Sequence, residues 1–112
     1  MDRAAQLLAE VQVLGTLCNR ECSSQRRMEL AGILERYAFL EPEHQVVFES
    51  ICHLLQHDRI SAARLAVHLN NRGFPSVELE KYYSAAIVDI EDALNMARRL
   101  CSLDRESRAD VH

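Results

Sequence analysis

The stretch VELEKYYSAAIVDIEDALNMARRLCSL, residues 77–103, decides the fold class. It holds no proline or glycine, and Leu79, Tyr83, Ala86, Ile90, Ala93, Ala97 and Leu100 step 4-3-4-3-4-3 along it as a heptad seam. Ile87, Leu94 and Cys101 form a second apolar row beside the seam. Read as one helix the stretch would be about 40 Å long, longer than a small core needs to cover it. Its seam therefore calls for a partner: other helices of the same core, a second copy, or a different protein. Leu79, Tyr82, Tyr83, Ala86, Ile90, Leu94, Ala97 and Arg98 are the residues we assign to partner binding or self-association. Of the adjacent tyrosines, one is expected to pack and the other to meet solvent or a partner.

Working back from this stretch, the periodicity is helical throughout. Leu7, Val11, Leu14 and Cys18 step 4-3-4, with Leu8, Val13 and Leu17 widening the face, so a first helix is expected from about Arg3 to Asn19. Cys22-Ser23-Ser24-Gln25 interrupts it and supplies a serine cap for a second helix through Met28, Leu30, Ile33 and Leu34. Tyr37, Phe39 and Leu40 form an aromatic–apolar knot before Glu41-Pro42, where proline at the first helical position and nearby acids start a third helix. That helix runs to about His57, with Val47, Phe48, Ile51, Leu54 and Leu55 inside, and Asp58-Arg59 makes a short turn. Ser61 caps a fourth helix carrying Leu65, Ala66 and Leu69, and Gly73 falls where a left-handed cap would end it. Phe74-Pro75-Ser76 is the clearest break, with Ser76 capping the long fifth helix. The expectation is an all-α compact bundle of about five helices with a long C-terminal helix: one domain over 1–103 and a frayed polar tail over 104–112.

Composition narrows the function. A chain of 112 residues buries roughly 65% of its unfolded surface, enough for one core. Three glycines, Gly15, Gly32 and Gly73, are too few and too scattered for a phosphate loop or a dinucleotide loop. The start, Met1-Asp2-Arg3, leads into no signal-peptide pattern, and no uncharged apolar stretch is long enough to span a bilayer. A soluble, cytoplasmic protein is expected. The net charge of −4, with twelve arginines and one lysine scattered among acids, argues against direct nucleic-acid binding. Arg26-Arg27 and Arg98-Arg99, the latter backed by Arg105 and Arg108, are the exceptions that could meet acids on a partner, although for Arg98 and Arg99 a cationic end complementing the helix dipole is the preferred reading.

The four cysteines, Cys18, Cys22, Cys52 and Cys101, read as reduced thiols, not a disulfide framework. Cys18 with Cys22 and His53 with His57 each present two ligands at i, i+4, a spacing zinc can use. Structural zinc sites usually take C-x2-C knuckles on turns, so core thiols and surface histidines are the preferred reading and no metal or other cofactor is expected. No catalytic pair emerges. Cys52 and His53 are sequence neighbours about 100° apart on a helix, and Asp89, Glu91 and Asp92 read as a solvated helix face. A non-catalytic interaction module is the expectation.

Four segments carry a resemblance. AEVQVLGTL (9–17) resembles the opening helix of the N-terminal domain of DnaB-type replicative DNA helicases, with its AE-x-x-VLG-x-L run. YAFLEPEHQVVFESICHL (37–54) is similar to the next hallmark, an aromatic pair, a turn into PEH, then IF-x-x-I-x-x-L. ISAARLAVHLNNRG (60–73) and EKYYSAAIVDIEDALNMARRL (80–100) resemble the two helices that follow, with Ser61 where the family has a capping aspartate. The resemblance implies a helical domain that works by protein contacts, with a replicative helicase or primase as partner and possible homo-oligomerisation through the last helix. The chain departs from the family by lacking a GG-x-x-YL helix after Gly73 and the RecA-like motor, so helicase activity does not carry over. Met1 and the polar tail fit a complete small protein; a helicase fragment is the variant. An unrelated helical regulator and a zinc-stabilised helical protein on Cys18, Cys22, His53 and His57 are the alternatives.

Overall fold

The structure, a computed structural model, describes residues 1–19, 21–57 and 60–109, the last five of these by their backbone alone. The expected turn at Asp58-Arg59 and the end of the tail, residues 110–112, lie outside the described residues. Six helices follow one another among the described residues: α1 (Arg3–Cys18), α2 (Ser24–Leu34), α3 (Pro42–Gln56), α4 (Ala62–Asn71), α5 (Glu80–Ser84) and α6 (Ile90–Ala109).

Local chemistry sets the ends. Asp2 accepts from the Ala5 amide at 2.7 Å, Ser23 from Arg26 at 3.3 Å and Ser61 from Arg64 at 3.2 Å, each satisfying an amide that the helix leaves without a partner. Pro42 opens α3 where no N–H is needed. Beyond α4, Gly73 sits at φ +88°; its amide reaches Asn70 O at 3.0 Å and the Phe74 amide reaches Leu69 O at 2.8 Å. That pair of reversed bonds is a Schellman cap, and the left-handed turn favours glycine.

The expectation of one helix over 77–103 is corrected. α5 closes at Ser84 and α6 opens at Ile90, although the apolar rows continue across the gap. Two interactions make the break. The Ile87 amide leaves the helical ladder to donate to Thr16 Oγ1 on α1 at 2.9 Å, and Asp89 caps α6 by accepting from the Glu91 amide at 2.9 Å. Glu91 and Asp92 then suit the positive end of α6. The far end differs too: α6 continues through Ala109, beyond the expected stop near Leu103.

α1 is the hub, packed against α2, α3, α5 and α6, while α2 packs on α6 and α3 on α4. Val13, Leu14 and Leu17 meet Leu30, Leu34, Val47, Ile51, Leu65, Leu69, Leu94 and Leu100 in one core. Being surrounded pulls Glu10, Gly15 and Thr16 inside as well, whereas Leu8, expected on the inner face, is 55% exposed and Met28 equally so. The Cα radius of gyration is 13.5 Å, close to the ~13 Å of a compact chain this long.

Candidate docking site

The site is built from the short α5 and the connector that follows it, and a buried polar cluster fixes their position. Glu10, fully buried on α1, accepts from Tyr37 Oη and from the Leu40 amide at 2.8 Å, and its other oxygen lies 2.8 Å from His44 Nδ1. Burial pushes the Glu10 carboxyl up, but the hydrogen bonds from His44, Leu40 and Tyr37 outweigh it and hold the group below its ordinary range. The His44 ring meets Tyr82 edge-on at 5.9 Å, and Tyr82 Oη donates to Glu43 at 2.5 Å. Lys81 donates to the same Glu43 oxygen at 2.6 Å. α5 is therefore clamped to α3 through Glu43.

On its other side α5 lies against α1. A Cβ added at Gly15 would fall 1.9 Å from the Tyr82 carbonyl oxygen and 3.1 Å from the Ala86 amide nitrogen, so only glycine permits this approach. With Thr16 holding Ile87, the connector lies over the end of α1 and turns Val88 outward, 98% exposed. Val88 stands as a ridge between two clefts. The larger, about 770 Å³, is lined by Gly15, Cys18, Asn19, Glu21, Arg27, Ile60, Ser61, Ala62, Tyr83, Ala86 and Val88. The smaller, about 290 Å³, lies on the other side against Thr16, Cys22 and Arg26. Arg26 bridges Glu29 at 2.9 Å and Glu91 at 2.6 Å, fastening α2 to the first turn of α6.

Arg27 is the unusual member. Only 7% exposed, it donates through Nη2 to the Asn19 carbonyl, and its buried Nε has no partner among the described residues. The neighbouring Cys18 thiol is pushed up to about 12 by burial, against the pull of Arg27, and burial likewise raises Tyr83 to about 12. Both are neutral at physiological pH.

The seam assigned from sequence is divided by this arrangement. Tyr82, Leu94 and Ala97 are core; Leu79, Tyr83, Ala86 and Ile90 are half-buried; Arg98 is exposed and donates to Asn95 at 3.1 Å. Tyr83 and Ala86 alone of the eight line the larger cleft. Of the adjacent tyrosines Tyr82 packs, and Tyr83 opens onto the cleft.

The four zinc candidates are not brought together. Cys18 ends α1 beside Arg27, and Cys22 lies past the helix end, so the two share no helical face. His53 and His57 cluster instead with His68 of α4: His53 stacks on His68 at 4.6 Å and meets His57 at 5.2 Å, while His68 Nδ1 is 2.9 Å from Ser50 Oγ. Among the described residues no group of three or more His, Cys, Asp or Glu is arranged to hold a metal ion. Cys52 is pushed up to about 11 by burial and then by the Glu35 and Glu49 carboxylates, which leaves it a thiol and not a nucleophilic thiolate.

Sequence reasoning missed Glu10, and it read Arg27 as one of an arginine pair that could meet acids on a partner but missed that it is buried. The available signal for Glu10 was its place three residues before Val13 and four before Leu14 on an apolar face; for the burial of Arg27, its place three residues before Leu30 on the inner face of α2. No helix among the described residues is long and apolar enough to cross a membrane. Comparison with protein-family models, with curated proteins and with solved structures finds no match to this chain.

Proposed function

We propose that this chain is a non-catalytic, cytoplasmic helical module that binds another protein, linked to DNA replication. The proposed partner is the replicative helicase or the primase, as the resemblance to DnaB-type N-terminal domains implies. The observation that carries the docking reading is the connector after α5: Val88 stands almost fully exposed between two clefts, beside half-buried Tyr83, Ala86 and Ile60. Held in place by Thr16 and Gly15, Val88 and its half-buried neighbours form an apolar edge that a partner can cover. Self-association through α6 has less support, because Ala93, Leu94, Ala97 and Leu100 are consumed by the core. Direct nucleic-acid binding finds no support in a chain of net charge −4.

The test is light scattering of the full chain over a concentration range, alone and with the replicative helicase or the primase of the same cell. A heteromeric peak with either supports the reading. Val88→Asp should weaken that complex about tenfold while moving stability by no more than about 0.5 kcal/mol, because the side chain is in solvent. A monomer whose mass neither protein alters would overturn it.

A further inference from the structure

We infer that the larger cleft is a carboxylate-binding site in which Arg27 receives an acidic side chain of the docking protein. The inference rests on the docking reading for its source of carboxylate, and on the following geometry for its chemistry.

Arg27 carries a permanent charge more than nine-tenths out of solvent, and among the described residues no carboxylate lies within ion-pair distance of it. Its one hydrogen bond goes to a neutral carbonyl, that of Asn19, and Nε is both buried and unsatisfied. Buried donors are nearly always satisfied, and buried charges paired, so a guanidinium left this way is the half-built side of an ion pair. A carboxylate is the planar acceptor that its fork matches.

The rest of the cleft agrees. Ser61 and Ala62 bring the first turn of α4 to its wall; the Arg64 amide is capped by Ser61, and the amides ahead of it sit at the positive end of the helix. Cys18 and Tyr83 keep their protons in the cleft wall, and Glu21, the carboxylate among the lining residues, makes no ion pair with Arg27. Glu21, exposed at the same cleft, sets the selectivity: it tolerates one incoming negative charge better than the two of a phosphate. Ile60, Ala86 and Val88 supply apolar walls for the methylene stem of an acidic residue.

The experiment follows the Arg27 Nε–H and the Ala62 and Ala63 amide resonances of the full chain during titration with sodium acetate, with sodium chloride holding ionic strength constant. Saturable shifts confined to this cleft are expected. Arg27→Met should weaken acetate binding, read from the two amides, at least about tenfold. Should that variant not fold, Ala62→Glu is the second: it supplies a tethered carboxylate at the cleft wall and should abolish the acetate response. Linear, unsaturated shifts in the unaltered protein would overturn the inference, and so would tighter binding of inorganic phosphate than of acetate. In the light-scattering assay Arg27→Met should weaken the helicase or primase complex about tenfold; a complex that survives Arg27→Met but fails with Val88→Asp overturns the inference and leaves docking standing. If neither protein binds the unaltered chain, docking falls, and the acetate titration still decides whether Arg27 is an anion site.

Discussion

Glu10 and Arg27 both lie inside this bundle, and their surroundings are opposite. Glu10 is met on every side: Tyr37 Oη, the Leu40 amide and His44 Nδ1 all point at its carboxyl group. Arg27 is met by one backbone carbonyl and keeps a buried N–H without an acceptor. A buried charge costs several kcal/mol in lost hydration, which only well-placed partners offset. The first arrangement is finished within the chain and ties three separate segments together. The second stands at the edge of an open cleft, and no acceptor among the described residues completes it.

The sharpest way to break this comparison is to remove the satisfied charge. Glu10→Ala leaves a tyrosine hydroxyl, an amide and an imidazole facing an apolar gap, and should cost about 4 kcal/mol in denaturant unfolding. Acid should do the same more gradually. Because the folded carboxyl titrates below its ordinary range, its contribution is complete above the unfolded value of about 4.3 and is lost as pH falls through the folded one. The melting temperature should therefore drop on acidification from pH 5 towards 3, and Glu10→Gln should flatten that drop. A variant as acid-sensitive as the unaltered chain would show that Glu10 is not the group responsible.

A somewhat smaller effect is expected where the two regions share a wall. Gly15 lets α1 touch the Tyr82 carbonyl, so the α5 that Glu43 clamps from one side is seated from the other. Gly15→Ala forces a backbone displacement because the obstructing atom is itself main chain. About 2–3 kcal/mol should be lost, with the largest amide shifts at residues 82–88 by NMR. Shifts concentrated around Glu10 instead would mean that α5 is positioned mainly by α3.

These contrasts also explain what could be read in advance. The starts of α2, α3 and α4 and the end of α4 were legible because Ser23, Pro42, Ser61 and Gly73 act within a few residues of themselves. The break between α5 and α6 was hidden, since Tyr82, Ala93, Ala97 and Leu100 keep apolar spacing through it and all join the core. Its local mark was Asp89 followed by Glu91 and Asp92, a cap with an acidic first turn, which the same residues disguise as one polar face of a longer helix. The distant cause, Thr16 capturing the Ile87 amide, has no trace in residues 77–103. The cleft was legible only in pieces: Tyr83 and Ala86 as part of a seam since divided, and Arg27 as part of an arginine pair that could meet acids. The burial of Glu10 was illegible because a charged residue is read as solvated until Tyr37 and His44, far along the chain, are brought to it; Arg27 was legible as a cation that could meet an acid, but not as a buried one.

The smallest effect within this comparison is the most discriminating. If Arg27 were a structural ion in the manner of Glu10, replacing it would expose an unpaired partner and cost several kcal/mol. Among the described residues, however, its guanidinium has only the Asn19 carbonyl as partner, and its alkyl stem fills space that methionine can fill. Arg27→Met should change unfolding stability by less than about 1 kcal/mol, since the lost hydrogen bond is offset by removing a desolvated charge with an unsatisfied donor. Equilibrium urea unfolding of this variant beside Glu10→Ala reads the contrast directly. Equal losses in the two would make Arg27 part of the scaffold, whereas a near-silent Arg27 keeps its charge for contact with a partner.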